Sequence, residues 1–271
     1  MREGQQTRAG RVWRWQAGSR PSRAHDELAA EEPLEIQVET RPVVVTMRTP
    51  GHDEELAAGF LLSEGLIRRR EDILKIAPYA RNEFGNALGV FLAPGVTVDF
   101  AQLTRHVFAS SSCGLCGKAS IAAVHRHFKK VQSRLVVPGA VLLGLAEQLR
   151  QGQETFGRTG GLHAAAIFDA RGKLLVLRED IGRHNAVDKV LGHGLREGLL
   201  PFDRHVLLVS GRASFEILQK ALAARIPIVA AVSAPSSLAV QFAAQSGQTL
   251  VGFLRGDRLN VYSRPERVRL R

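Results

Sequence analysis

From Pro33 to Thr49, "PLEIQVETRPVVVTMRT", apolar and polar residues alternate on both sides of a short polar break, a pattern that predicts a β-hairpin. The next stretch, "PGHDEELAAGFLLSEGLI", shifts to helical spacing, with Asp53 as candidate N-cap, acids in the first turn and Gly65 near the end. Between 76 and 103, short strands are expected at "NALGVFLA" and "VTVDF", set among Gly and Pro. Pro138 opens a helix over "GAVLLGLAEQLRQG", and the rhythm then becomes regular. "HAAAIFDARGKLLVLRED" reads as a hairpin turning at Arg171 and Gly172. After it, "NAVDKVLGHGL", "SFEILQKALAAR" and "SLAVQFAAQSG" read as helices, and "HVLLVSG", "IPIVAAVSA" and "TLVGFLRG" as strands.

Near-continuously apolar strands alternating with helices point to a largely parallel sheet covered on both faces. The expected fold class is α/β, or α+β overall: a small mixed N-terminal domain followed by a three-layer α/β/α unit. The expected divisions are a basic disordered tail (1–30), the mixed domain (31–137), the three-layer domain (138–264) and a second basic tail (265–271). Disorder is expected at the start because Arg2, Arg8, Arg11, Arg14, Arg20 and Arg23 face only Glu3 there, without hydrophobic periodicity.

Composition narrows the function classes. With 45% apolar and 23% charged residues in 271, the chain reads as a soluble globular protein. No apolar run approaches the ~20 residues that span a bilayer, and the N-terminus lacks the apolar core of a secretory signal. Two cysteines cannot build a disulfide framework, so reduced thiols and a cytoplasmic location are expected. The net charge of +11 reflects solvated faces or attraction to a polyanion. Nucleic acid is supported by charge alone, without a reading helix, zinc finger or aromatic RNA-binding block. Neither nucleic acid nor a membrane is an expected partner.

The cysteines stand together in "SSSCGLCGK", as Cys113 and Cys116. A zinc site would need His125 and His127 as further ligands, at a spacing unlike that of zinc fingers, so no metal is expected. A Gly- and Ser-rich loop leading into a helix N-terminus, with Lys118 nearby, favours the thiolate. Such a pair can exchange disulfides or carry a persulfide, and the chemistry of the pair leaves both open.

Polar clusters follow the expected strands of the second half. They are "REDIGRHNAVDK" with Asp180, Arg183, His184 and Asn185, and "VSGRASFE" with Gly211, Arg212 and Ser214. "VSAPSSLAV" adds Ser233, Ser236 and Ser237, and "GFLRGDR" adds Arg255, Gly256, Asp257 and Arg258. Loops at the carboxyl ends of parallel strands collect ligands, and helix N-termini with arginine suit phosphate. A nucleotide-like ligand is therefore expected. No phosphate-binding P-loop or G-x-G-x-x-G is present. A zinc deaminase needs H-x-E, but "HAAA" puts Ala165 at the glutamate position.

These blocks, with "TGGLHAAAIFD" and "LVGFLRGDRLNVY", closely resemble the formate dehydrogenase accessory sulfurtransferase family from about Glu32 to Ser263. The resemblance implies a cytoplasmic homodimer whose C-terminal domain has a cytidine-deaminase-like fold without deaminase activity. It implies relay of sulfur from a cysteine desulfurase to the molybdenum or tungsten cofactor of formate dehydrogenase, which carries two pterin–guanine dinucleotide units. Cys113 matches the persulfide-bearing cysteine and Cys116 its partner. The cofactor-binding segment matches Phe253, Leu254, Arg255, Gly256, Asp257 and Arg258, and further nucleotide contacts are expected around His163, Asp180, Arg183, His184 and Arg212. The alternative from another class is a cofactor chaperone that binds without turnover.

Overall fold

The computed structural model describes residues 5–79, 86–98, 100 and 128–270, which build two principal sheets around a shared apolar core. The hairpin expected over 33–49 is present as β3 (Glu32–Val38) and β4 (Arg41–Arg48). Its alternation buries Leu34, Ile36 and Val38 completely. β3 also pairs in parallel with β6 (Ala87–Leu92), and β6 pairs antiparallel with β5 (Ile73–Pro78), which completes a four-stranded sheet in the order β4-β3-β6-β5. No strand forms over 96–98 of "VTVDF", because the chain turns back after β6, with Val96 N donating to Ala93 O at 3.1 Å.

Helix α1 (Asp53–Ser63) is capped by His52 in a left-handed conformation (φ 56°), one residue before the expected cap. Asp53 is occupied otherwise: its carboxylate accepts from Arg48 Nε at 2.9 Å and Nη2 at 3.0 Å. α1 crosses the helix Arg183–Arg196 (α4 below) at two glycines, Gly59 and Gly192. A Cβ on Gly192 would lie 1.8 Å from Glu55 O, so only glycine permits this approach. Buried polar groups flank the crossing. Glu55 accepts from Arg178 at 2.6 and 2.8 Å and lies 3.0 Å from His193 Nδ1. Burial would raise the Glu55 pKa, but the bonds and charge of Arg178 outweigh it and hold the carboxyl below its usual range. Lys220 Nζ donates to both Asp188 oxygens at 2.9 and 2.8 Å and to Ser63 Oγ at 2.9 Å.

The second sheet has six strands: β8 (His163–Asp169), β9 (Leu174–Asp180), β10 (His205–Val209), β11 (Ile228–Ala231), β12 (Thr249–Arg255) and β13 (Arg258–Ser263). Their order is β13-β12-β11-β10-β8-β9. Only the β10–β11 and β11–β12 pairings are parallel, a correction to the largely parallel sheet expected. Tight turns after Asp169 and Arg255 return the chain beside itself, which makes both ends of the sheet antiparallel. Helix α2 (Gly139–Gly152), with Pro138 as its N-cap, covers one face through Leu142, Leu145 and Leu149. After the short α3 (Glu154–Thr159), α4 (Arg183–Arg196), α5 (Phe215–Ala223) and α6 (Ser237–Ser246) cover the other. The α/β/α layering is therefore present, within a mixed α+β chain.

Both expected tails are structured over their described residues. Instead of a disordered segment, β1 (Thr7–Arg14) and β2 (Ser22–Ala29) form an antiparallel hairpin. Its side chains are largely exposed on both faces, so no hydrophobic alternation announced it. At the other end, β14 (Val268–Arg269) pairs in parallel with β7 (Val137–Pro138). Arg267 is buried there, donating from Nη1 to Gly247 O at 2.7 Å and from Nε to Ser133 O at 3.1 Å. Among the described residues no helix is long and apolar enough to cross a membrane.

Candidate functional site

The four polar clusters lie along one edge of the six-stranded sheet. Because β8 runs antiparallel to β10, the start of β8 and the end of β9 stand beside the carboxyl ends of β10, β11 and β12. His163 opens β8 opposite Asp180 on β9. The chain then turns through Gly182 into α4, which puts Arg183 and His184 in the first turn of that helix.

Gly211, just after β10, makes room for this group. A Cβ there would lie 3.3 Å from His163 Nδ1 and 4.0 Å from Arg183 Cδ, so its bare backbone borders both side chains. His184 Nε2 lies 3.3 Å from Ser214 Oγ, at the N-cap of α5, and 3.9 Å from Glu216. Burial, followed by the charges of Lys220 and Arg183, lowers the His184 pKa to about 4. His163 is lowered as well, by burial and then by Arg183, against the opposing charge of Asp180. His184 is thus uncharged at neutral pH, and both rings lean toward hydrogen-bonding rather than cationic roles. The Arg183 Nε is buried without a hydrogen-bond partner among the described residues.

Asp180 serves this face from beneath. It is fully buried, and its carboxylate accepts from Lys189 Nζ at 2.7 Å, Gly182 N at 2.8 Å, Asn185 Nδ2 at 3.0 Å and Thr49 N at 3.2 Å. Those bonds occupy its acceptor capacity, so Asp180 fixes the β9–α4 turn to the first sheet. Lys189 and Thr49 were not singled out from the sequence. Lys189, next to Asp188 between the apolar Ala186, Val187, Val190 and Leu191 of α4, was the available signal of a buried charge.

The neighbouring loops are laced together. Ala213 N donates to Ala234 O at 3.3 Å, Ser236 N to Ala213 O at 3.0 Å and Phe253 N to Ser233 O at 3.1 Å. Ser236 caps α6, accepting from Ala239 N at 3.1 Å. Arg212 is exposed beside this lacing. Phe253 occupies the left-handed region (φ 51°), strained for an aromatic residue, inside a β-bulge between Gly252 and Arg255. The bulge reverses the alternation: Leu254 is fully buried in the α2-side core, while Arg255, Gly256, Asp257 and Arg258 form an exposed turn. Of the sequence-identified residues, His163, Arg183, His184, Gly211 and Ser214 come together. Arg212, Ser233, Ser236, Ser237 and the Arg255–Arg258 turn extend the edge, while Asp180 and Leu254 lie beneath it.

Three helix N-termini and the Arg183 guanidinium can hold phosphate, and neutral imidazoles can read a base or sugar. Cys113 and Cys116, with Lys118, His125 and His127, lie outside the described residues.

Known proteins resemble this chain along most of its length. The family described as FdhD/NarQ matches residues 29–269. A sulfur carrier protein FdhD of Mycobacterium tuberculosis is 53% identical over 253 residues, covering 90% of this chain and 92% of that one. The protein so named in Sulfolobus acidocaldarius is 42% identical over 247 residues, 91% of this chain and 93% of its own. A crystal structure from Desulfotalea psychrophila, of a protein assigned as a formate dehydrogenase accessory protein, superposes with a TM-score of 0.77 at 25% identity, covering 97% of this chain and 99% of that one. The chain belongs to the FdhD/NarQ family.

Proposed function

We propose that this protein is a sulfurtransferase that relays persulfide sulfur from a cysteine desulfurase to the molybdenum cofactor of formate dehydrogenase, in its bis(molybdopterin guanine dinucleotide) form. The observation that carries the proposal is the edge where Arg183, its buried Nε unpartnered among the described residues, meets Gly211, two histidines of lowered pKa and the N-termini of α4, α5 and α6. That set matches the diphosphate and guanine edges of the cofactor, which is cargo here. The names of the relatives, sulfur carrier proteins, support sulfur transfer, and the structural neighbour supports service to formate dehydrogenase.

In the proposed relay, the Cys113 thiolate attacks the terminal sulfur of the desulfurase persulfide. The donor S–S bond breaks, the donor cysteine leaves as thiolate, and Cys113 carries the persulfide. The Cys116 thiolate then attacks the inner sulfur, closes a Cys113–Cys116 disulfide and releases the outer sulfur as sulfide to the acceptor. A cellular dithiol reduces the pair for the next cycle. His163, Arg183, His184 and Arg212, with Phe253 and the Arg255–Arg258 turn, hold the guanine nucleotide ends, and Asp180 positions Arg183 and His184.

The same reading makes the protein a cytoplasmic homodimer and gives its 138–264 unit a cytidine-deaminase-like fold without deaminase chemistry. The test is maturation of formate dehydrogenase in cells lacking their own copy of the protein. Cys113→Ala should yield inactive enzyme while the purified variant still binds guanosine diphosphate. Wild-type activity with Cys113→Ala would replace the relay with a non-catalytic cofactor chaperone.

A further inference from the structure

The β1–β2 hairpin lies almost wholly before residue 29, where the family match begins, and sulfur relay gives it no task. Its base is fastened to the body. Ala30 N donates to Gln6 O at 2.9 Å, Thr155 Oγ1 donates to Gln6 at 2.6 Å, Arg8 pairs with Glu32, and Arg158 pairs with Glu27 at 3.4 Å. The hydrogen bonds of its tip are internal: Trp15 Nε1 donates to Ser19 O at 3.1 Å and Ser19 Oγ to Gln16 O at 2.7 Å.

Charge and apolar surface are segregated along this arm. From Arg11 to Arg23 it carries Arg11, Arg14, Arg20 and Arg23 and no acid, whereas Asp26 and Glu27 stand toward the base. The only two tryptophans of the chain, Trp13 and Trp15, are at the tip and 68% and 64% exposed. None of the four arginines forms an ion pair among the described residues, and Arg23 lies over the Trp13 ring at 5.2 Å. Pairing of Trp13 with Arg23 and of Arg11 with His25 puts those four on one face of the ribbon. Arg14 points to the opposite face, and Arg20 sits in the connecting loop.

Cations thus stand on both faces of an aromatic tip and in its loop, and are not confined to a track along one face. That geometry suits end-on contact with a plane of negative charge over an apolar layer. Tryptophan settles at the headgroup boundary of a bilayer, and arginine is drawn to anionic lipid. A nucleic-acid strand would instead need a cationic groove and open ring faces, and one face of Trp13 is already covered by Arg23. We propose that the Arg11–Arg23 tip is a peripheral anchor that docks the protein on anionic lipid surfaces, without crossing them.

Because both tryptophans sit on the tip, the intrinsic tryptophan emission of the full-length protein reports this arm alone. Vesicles of equal phosphatidylglycerol and phosphatidylcholine should shift that emission to the blue and sediment the protein, while phosphatidylcholine vesicles should do neither. About 0.5 M salt, or the R14E/R20E variant, should weaken sedimentation on the order of tenfold. Trp13→Ala/Trp15→Ala, with an unchanged circular dichroism spectrum, should weaken it likewise. No response to the anionic vesicles would overturn the proposal. So would emission changes with single-stranded oligothymidylate that exceed those with vesicles, which would reassign the tip to nucleic acid.

Discussion

Replacing Gly192 with alanine tests the crossing that joins the first sheet to the helix bearing Arg183 and His184. In an exposed helix interior, Gly→Ala ordinarily stabilises by up to about 1 kcal/mol through helix propensity alone. Here the new Cβ would fall 1.8 Å from Glu55 O and 2.8 Å from Gly59 N, and real Cβ contacts essentially never close below 3.0 Å. α1 and α4 must therefore separate by more than an ångström. Overpacking of this kind costs about 1–3 kcal/mol. The separation also stretches the 2.9 Å bond from Ser63 Oγ to Asp188 and the 2.9 Å bond from Lys189 Nζ to Thr49 O, both buried. Gly192→Ala is thus expected to lose at least ~3 kcal/mol, a large share of the 5–15 kcal/mol typical of a domain. Gly59→Ala should behave alike, since its Cβ would meet Asp188 O at 1.8 Å. The internal control is Gly144→Ala in α2, where nothing lies within 4 Å and slight stabilisation is expected. Urea unfolding should be followed by far-ultraviolet circular dichroism, because tryptophan emission reports the hairpin tip. A Gly192→Ala protein as stable as wild type would refute the close crossing.

Three further substitutions probe charges beneath and within the site. Lys220→Met leaves Asp188 buried without its cation and should cost about 3–5 kcal/mol in urea unfolding; adding Asp188→Asn should recover much of it, and an additive second loss would contradict the pairing. His184, with its pKa lowered to about 4, stays neutral in the folded protein while the unfolded chain takes up its proton near pH 6.5. Its contribution is therefore complete above pH 6.5 and is lost as pH falls toward 4. His184→Gln should flatten the stability profile across that window, and an unchanged slope would contradict the lowered value.

How much of this was legible in the sequence depended on where each residue finds its partners. Strands that bury one face announced themselves: Leu34, Ile36 and Val38 alternate as written. The β1–β2 hairpin did not, because with both faces largely exposed its order rests on main-chain pairing. Arg267 read as part of a basic tail, yet it is buried by carbonyls at Ser133 and Gly247, far away in sequence. The loops of the site were visible as polar clusters at strand ends. Their division of labour was not: Asp180 and Arg183 are three positions apart, but one turns inward to Lys189 and Thr49 and the other keeps a buried Nε without a partner among the described residues. At Phe253, a bulge reversed the facing of a segment that periodicity would have read straight through. The β8–β9 hairpin was read from its turn, but the antiparallel pairings of β10 with β8 and of β12 with β13 were hidden for a related reason. Buried strands look alike whichever way their neighbours run.

Sulfur loading is most directly tested by intact-protein mass spectrometry after incubation with a cysteine desulfurase and cysteine, on wild type, Cys113→Ala and Cys116→Ala. The expected result is a gain of about one sulfur atom, ~32 Da, on wild type and on Cys116→Ala, removed by reductant and absent from Cys113→Ala. No added sulfur on any of the three proteins, with the desulfurase shown to be active, would contradict the relay.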